Sequence, residues 1–268
     1  MKVEKFFRQN PVFTDKEFAR FLGSKGTFKA RAPASLLAYH TRTGRLLRVR
    51  RGLYAVVPVG ADAETYPFDP FLLAAKMVED AVLAYHTALE FHGKAYSVQN
   101  RFLFLTRRAP RFLIFRTFNF RPVLFPKALQ SKGKENFEVM MAERSGLEVR
   151  VTSLERTFVD VLDRHDLSGS WEEIWRSLES VEFFNLDKVI EYTSLLENAT
   201  TAAKVGFFLD QHKEALMVEN SHLERLREFR PRQPHYLERS IRKAGRLVPD
   251  WNLVVPPLVL ERTWAEVT

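Results

Sequence analysis

Arg42, Arg45, Arg48, Arg50 and Arg51 stand within one ten-residue stretch. A guanidinium offers a planar fork of donors that matches phosphate, so this spacing points to a polyanion rather than a small substrate. The first 60 residues carry 13 Lys/Arg against three acids, Glu4, Asp15 and Glu17, a net charge of +10. The whole 268-residue chain is only +8, so the remainder sums to −2. Positive charge gathered into one module is the footprint of a surface that releases counterions from a nucleic-acid backbone.

Other groupings suggest chemistry and then lose it. Asp160, Asp163, His165 and Asp166 combine carboxylates with an imidazole, a set that suits a divalent ion. Helical register puts Asp160 and Asp163 on the polar side of the stripe Leu154, Phe158, Val161 and Leu162, so the reading is a solvated helix end without metal. His86 and His92 lie six residues apart, too far for one helical face, and structural roles are expected. Gly169-Ser170 is faintly similar to the start of a nucleotidyltransferase site, but the following pair of aspartates is absent and Ser170 with Glu173 reads as a capping box. No glycine-rich phosphate loop, zincin motif or nucleophile elbow occurs, so neither an enzyme nor a cofactor is expected. Without cysteine, disulfides and thiolate metal sites are excluded. No apolar run approaches the ~20 residues of a membrane span, and Met1–Lys5 has no apolar leader, so a cytoplasmic protein is expected.

The arginine cluster needs elements to hold it. Lys2–Asn10 reads as a helix with Val3, Phe6 and Phe7 inward, stopped by Pro11. Thr14 and Glu17 form a capping box for a second helix that buries Phe18, Phe21 and Leu22 and ends at Gly23. A basic turn with Lys29 and Arg31 follows, and Pro33 opens a third helix running to about Thr43. That helix buries Leu36 and Leu37 and turns Ser35, Ala38, Tyr39 and Arg42 outward; His40 reads as packed or phosphate-touching. Leu46–Val49 and Leu53–Val57 read as a hairpin turning at Arg50-Arg51-Gly52. Helix, helix and basic hairpin are the order of a winged helix-turn-helix, spanning residues 1–60. Candidate DNA contacts are Lys29, Arg31, Ser35, Tyr39 and Arg42 in the turn and recognition helix, with Arg45, Arg48, Arg50 and Arg51 on the wing.

Residues 61–70 have the breakers of a linker, and Asp69 with Pro70 starts a new helix. The larger domain, 71–268, reads as a mixed or antiparallel sheet over about 82–151, helices over about 153–226 and an irregular tail, making the chain α+β. Strands are expected at 102–105, 112–118, 120–125, 137–141 and 147–151, with Pro122 favouring an edge. Thr152 with Glu155 reads as a capping box, and Gly206 as a point of close helix packing. Residues 101–134 hold nine Lys/Arg and no acid. Arg107, Arg108, Arg111, Arg116 and Arg121 among aromatics form either a second nucleic-acid face or the outer side of a sheet with Phe inward. From 150 to 229, nine basic and 16 acidic side chains reverse the sign.

The ordered segments Gly44–Tyr54, Ala88–Gly93 and Val149–Asp160 resemble the AbiEi-type antitoxins of type IV abortive-infection toxin–antitoxin systems over roughly residues 10–215. The resemblance implies a winged helix-turn-helix that represses its own operon by binding operator DNA. It also implies a larger domain that neutralises a nucleotidyltransferase-like toxin, without requiring a stable complex. By matching position, Ser35, Tyr39 and Arg42 fall on the recognition helix and Arg48, Arg50 and Arg51 on the wing. The departure is Lys29–Pro33, where proline shortens that helix. No heptads point to a coiled-coil dimer, so a monomer is expected. Two alternatives stay open: an RNA-binding protein or RNA-directed enzyme using the 101–134 strip, and a ligand-sensing transcription factor.

Overall fold

The computed structural model describes residues 2–23, 32–108, 110–238 and 245–266. Lys29 and Arg31 lie outside the described residues. The chain forms two compact units. The first gathers residues 1–83, 100–122 and 141–150, and the 61–70 segment lies inside it; the second takes 84–99, 123–140 and 151–268.

The first unit opens with α1 (Lys2–Gln9), β1 (Val12–Thr14), α2 (Asp15–Gly23), α3 (Ala32–Arg42), β2 (Leu46–Arg50) and β3 (Leu53–Val56). Phenylalanine dictates the packing. Phe6, Phe7, Phe13 and Phe18 are all buried, with ring centroids 5.0 to 6.3 Å apart. Each such pair adds about 0.5–1.5 kcal/mol beyond the burial of its area. The sequence reading missed β1, because Pro11 and the cap at Thr14 disguise three residues of strand. The strand pairs antiparallel with β3, giving a three-stranded sheet ordered β1-β3-β2. The expected capping box at Thr14 is present: the Glu17 amide donates to Thr14 Oγ1 at 3.2 Å, and the Thr14 amide donates to Glu17 Oε2 at 2.7 Å.

Further along the chain come α4 (Pro70–Ala75) and a six-stranded sheet of β4 (Val82–Leu83), β5 (Arg101–Thr106), β6 (Leu113–Phe115), β7 (Phe118–Leu124), β8 (Val139–Arg144) and β9 (Leu147–Thr152), ordered β6-β7-β5-β4-β9-β8. Asp69 caps α4 as its sequence suggested, accepting from the Phe71 amide at 2.9 Å. The single strand expected over 112–118 is instead a hairpin. Arg116 takes a positive φ of 55°, and the chain reverses into β7 there. Pro122 is tolerated one strand in from the edge, because β6 pairs only with Phe118–Phe120 and stops short of it.

The second unit contains α5 (His86–Phe91), α6 (Lys127–Ser131), α7 (Leu154–Asp163), α8 (Trp171–Glu179), α9 (Leu186–Leu195), α10 (Ala199–Gln211), α11 (Asn220–Arg227) and α12 (Pro257–Glu261). Short strands β10 (His235–Tyr236), β11 (Arg246–Val248) and β12 (Leu253–Val255) form a sheet ordered β10-β12-β11. The tail is thus more ordered than the irregular segment its sequence suggested. Helix α10 is central, with every residue from Thr201 to Leu209 buried. Gly206 sits where a Cβ would fall on the Trp251 ring, so the close approach inferred from the glycine is to an indole. Ser153, not Thr152, caps α7, accepting from the Arg156 amide at 3.2 Å; Glu155 accepts from the Asn185 amide instead.

Charge is buried in this unit, and Asp160 corrects the expectation of a solvated helix end. It is 1% exposed and accepts from Tyr192 Oη at 2.6 Å and from Arg156 Nε at 3.3 Å. Burial pushes its carboxyl up to about 6 despite the Arg156 charge. Arg156, fully buried, also donates to the carbonyls of Glu135 and Phe137 at 2.7 Å each. Register correctly placed Asp160 off the apolar stripe; α9 and its Tyr192 cover that side of the helix as well. Lys204 is buried on α10, donating to the Leu162 carbonyl at 3.0 Å with its ammonium 5.2 Å from the Trp171 ring centroid. Burial depresses its pKa from 10.5 to about 8. A lysine that loses its proton more readily when folded adds stability above its unfolded value, and that contribution disappears as pH falls through about 8. Urea unfolding between pH 8 and 10 should therefore show the wild type gaining stability relative to Lys204→Met as pH rises; parallel curves would show that Lys204 is not depressed.

Candidate nucleic-acid interface

The candidate surface lies in the first unit, on α2, α3 and the β2–β3 wing. Helix α3 buries Leu37 and leaves Ala34, Ser35, Ala38, Tyr39 and Arg42 exposed. Ser35, Tyr39 and Arg42 follow at steps of four and three residues, so they share one face. Small side chains at 34, 35 and 38 let a partner approach the helix backbone closely. Tyr39 is 52% exposed. A shallow groove of about 710 Å³ runs beside this face, with Lys16, Ala34, Ala38, Arg42 and Arg48 in its lining. Arg42 from the helix and Arg48 from the wing are thus brought to one concavity.

The wing is fastened at its tip. The Asp15 amide at the start of α2 donates to the Gly52 carbonyl at 3.0 Å. Gly52 has a φ of +80°, and a Cβ there would lie 3.1 Å from the Asp15 carboxylate. The left-handed backbone favours glycine, and the close approach adds to that preference. A bulge between Arg48 and Arg50 breaks the regular pairing just before the turn.

The arginines singled out from spacing divide into two groups. Arg42, Arg48 and Arg51 are exposed. Arg45 is not available in the same way. Its side chain is only 15% exposed, its Nη2 lies 2.7 Å from Glu4 Oε2, and its Nη1 donates to the Val57 carbonyl. The hydrogen bond from Arg45 is what holds the Glu4 carboxyl below its usual range. Arg50 is exposed, yet its guanidinium donates to the carbonyls of Met77 and, at 3.2 Å, Arg51. The sequence could not separate these roles, because Glu4 lies 41 residues from Arg45. His40 packs edge-on against Phe7 at 5.0 Å, and burial lowers its pKa.

Helix α2 and the wing are also tied to the segment that follows α4. Glu17, already in the capping box, pairs with Lys76, and Lys16 Nζ lies 3.7 Å from Glu79. Burial raises the Glu17 carboxyl, but the bonds from Lys76 and Thr14 outweigh it and leave it lowered. A cavity of about 560 Å³ opens beside these ties, lined by both signs of charge, including Asp15, Arg20, Glu79 and Arg150.

Of the second basic group, Arg107, Arg108, Arg111 and Arg121 are exposed. Arg116 is used structurally: it donates to the Tyr66 carbonyl at 2.6 Å and to the Ala63 carbonyl, with its guanidinium 4.6 Å from the Phe68 ring centroid. In the second unit, Ser170 caps α8, and Glu173 turns away from it toward His86, Ser97 and Gln99. His86 is fully buried, with Nε2 3.0 Å from Glu173 and Nδ1 2.9 Å from Glu90. His92 bonds the Thr152 carbonyl at 2.8 Å. Each histidine serves a separate contact. Among the described residues, no group of three or more His, Asp or Glu is placed to hold a metal ion.

Comparison with known proteins gives fold and family likeness. No curated protein is a significant relative of the chain. The crystal structure of the RV2827C protein from Mycobacterium tuberculosis superposes with a TM-score of 0.59 at 16% identity, covering 100% of this chain and 94% of that one. At that identity the likeness is one of fold. Residues 1–57, the span of α1 through the wing, match the family model described as a transcriptional regulator, AbiEi antitoxin.

Proposed function

We propose that the chain is a DNA-binding repressor of its own operon and the antitoxin to a nucleotidyltransferase-like toxin, working as a cytoplasmic monomer. The observation that carries the DNA role is the exposed α3 face, with Arg42 and Arg48 lining one groove inside the span that matches AbiEi regulators. Helix α3 enters the major groove, and Tyr39 and Arg42 reach base edges or phosphates. The wing carries Arg48 and Arg51 to the backbone. The antitoxin role is supported by the family match alone, and it requires no stable complex with the toxin. Among the described residues no helix is long and apolar enough to cross a membrane.

The test is a salt titration of binding to the duplex upstream of the gene. Arg48→Ala and Arg51→Ala should each weaken all sequences similarly and lower the slope of log affinity against log salt by about 0.9. Arg50→Ala should leave the slope unchanged, because its guanidinium is held by Met77 and Arg51. An Arg42→Ala, Arg48→Ala, Arg51→Ala triple variant that binds like the wild type would sink the DNA reading. The same variant, co-expressed with the toxin, should still protect, since neutralisation is assigned to the larger domain.

Arg45→Ala should behave differently from all of these. Loss of its bonds to Glu4 and Val57 should cost about 1–3 kcal/mol of stability, with the salt slope preserved while the module stays folded. A changed slope with unchanged thermal stability would reassign Arg45 to the interface.

A further inference from the structure

We infer that the β6–β7 hairpin is a second binding surface, for single-stranded nucleic acid, with Phe112 as a stacking platform and Arg111 and Arg121 as phosphate contacts. This goes beyond the operator reading and uses none of its residues.

Strand β6 is at one edge of the six-stranded sheet. Phe112 is 65% exposed and Ile114 63% exposed. Two residues apart on an extended chain, they point to the same side. The pairing of Leu113 with Phe120 and Ile114 with Asn119, continued by one step, sets Phe112 opposite Arg121. The other side of the hairpin faces inward: Phe118 and Phe120 pack on Phe102 at 5.5 and 5.8 Å. The outward side is therefore an aromatic ring opposite Arg121, beside a branched aliphatic side chain, with Arg111 exposed at the next position along the chain.

Arg116 makes the platform rigid. Its left-handed backbone closes the hairpin, and its guanidinium is committed to the Tyr66 and Ala63 carbonyls and to the Phe68 ring. The hairpin is thus anchored from behind, which lowers the entropy lost when a ligand docks on its outer side.

Charge names the partner. Residues 101–134 contain no acid, and Arg111 and Arg121 are both exposed. The ligand must be anionic and must also reward an exposed ring. A duplex hides its bases in the stack, so Phe112 and Ile114 gain nothing on its backbone. A single strand offers bases that stack on aromatic side chains in any sequence. A protein strand is the poorer fit, because an edge of three residues provides few backbone bonds for strand addition.

The full-length protein tests this with labelled, unpaired RNA and DNA oligonucleotides measured beside the upstream duplex. At least one single strand should bind. Phe112→Ala should weaken it roughly 10-fold, and Phe112→Trp should restore it. Arg111→Ala and Arg121→Ala should each lower the salt slope by about 0.7. None of the four should alter duplex affinity, while the Arg42, Arg48 and Arg51 triple variant should keep its single-strand binding, so failure of either site is visible separately. The proposal is overturned if neither oligonucleotide binds, if Phe112→Ala binds like the wild type, or if polyglutamate displaces the strand as well as unlabelled oligonucleotide does. It is equally overturned if Phe112→Ala weakens the duplex, since the hairpin would then belong to that surface.

Discussion

The Glu17 carboxylate is the constraint on which the basic face depends. One oxygen closes the N-terminus of α2 through Thr14, and the other holds Lys76. Its removal would leave the Thr14 amide without its acceptor and Lys76 without its counter-charge at once. Because α2 also meets the wing tip through Asp15 and Gly52, the placement of Arg48 and Arg51 depends on how that helix begins. The phenylalanine cluster of Phe6, Phe7, Phe13 and Phe18 supplies the apolar drive, but clusters of rings are tolerant of rotation. The directional bonds at Glu17 select one arrangement from those the rings would allow.

Much of this was legible in the sequence because the signals are local. The Thr14–Glu17 box, the Asp69 cap with Pro70, Gly44 and Gly52 as turn residues and the apolar spacing of α3 each act within four residues. Their expected elements are present. The α+β class followed from strand-like runs before residue 152 and helix-like ones after it. Two local readings slipped by a residue or a strand. Ser153 rather than Thr152 caps α7, although only Thr152 has an acid three residues on, and β1 is too short for alternation to register.

What the sequence concealed is pairing over distance. Arg45 and Arg48 look alike in a list of arginines, and only the position of Glu4 separates the structural one from the exposed one. The same holds for Arg116 against Arg111 and Arg121. Asp160 lies on the polar side of its helix, as its spacing implies, yet a second helix covers that side with Tyr192 and encloses Arg156 beside it. A buried ion pair of this kind contributes little net stability compared with an apolar core, but losing one partner is costly. Polarity in the sequence therefore marks a requirement for partners, and does not by itself mark contact with water.

The fastening at Gly52 separates two kinds of change that evolution can make. Exposed positions such as Tyr39, Arg42, Arg48 and Arg51 can be exchanged with small effects on folding, so the chemical preference of the surface is free to drift. The spacing between helix and hairpin is not, because a side chain at 52 would strain the left-handed turn and crowd the Asp15 carboxylate. Diverged chains of this architecture would then read different targets with a gauge of constant width.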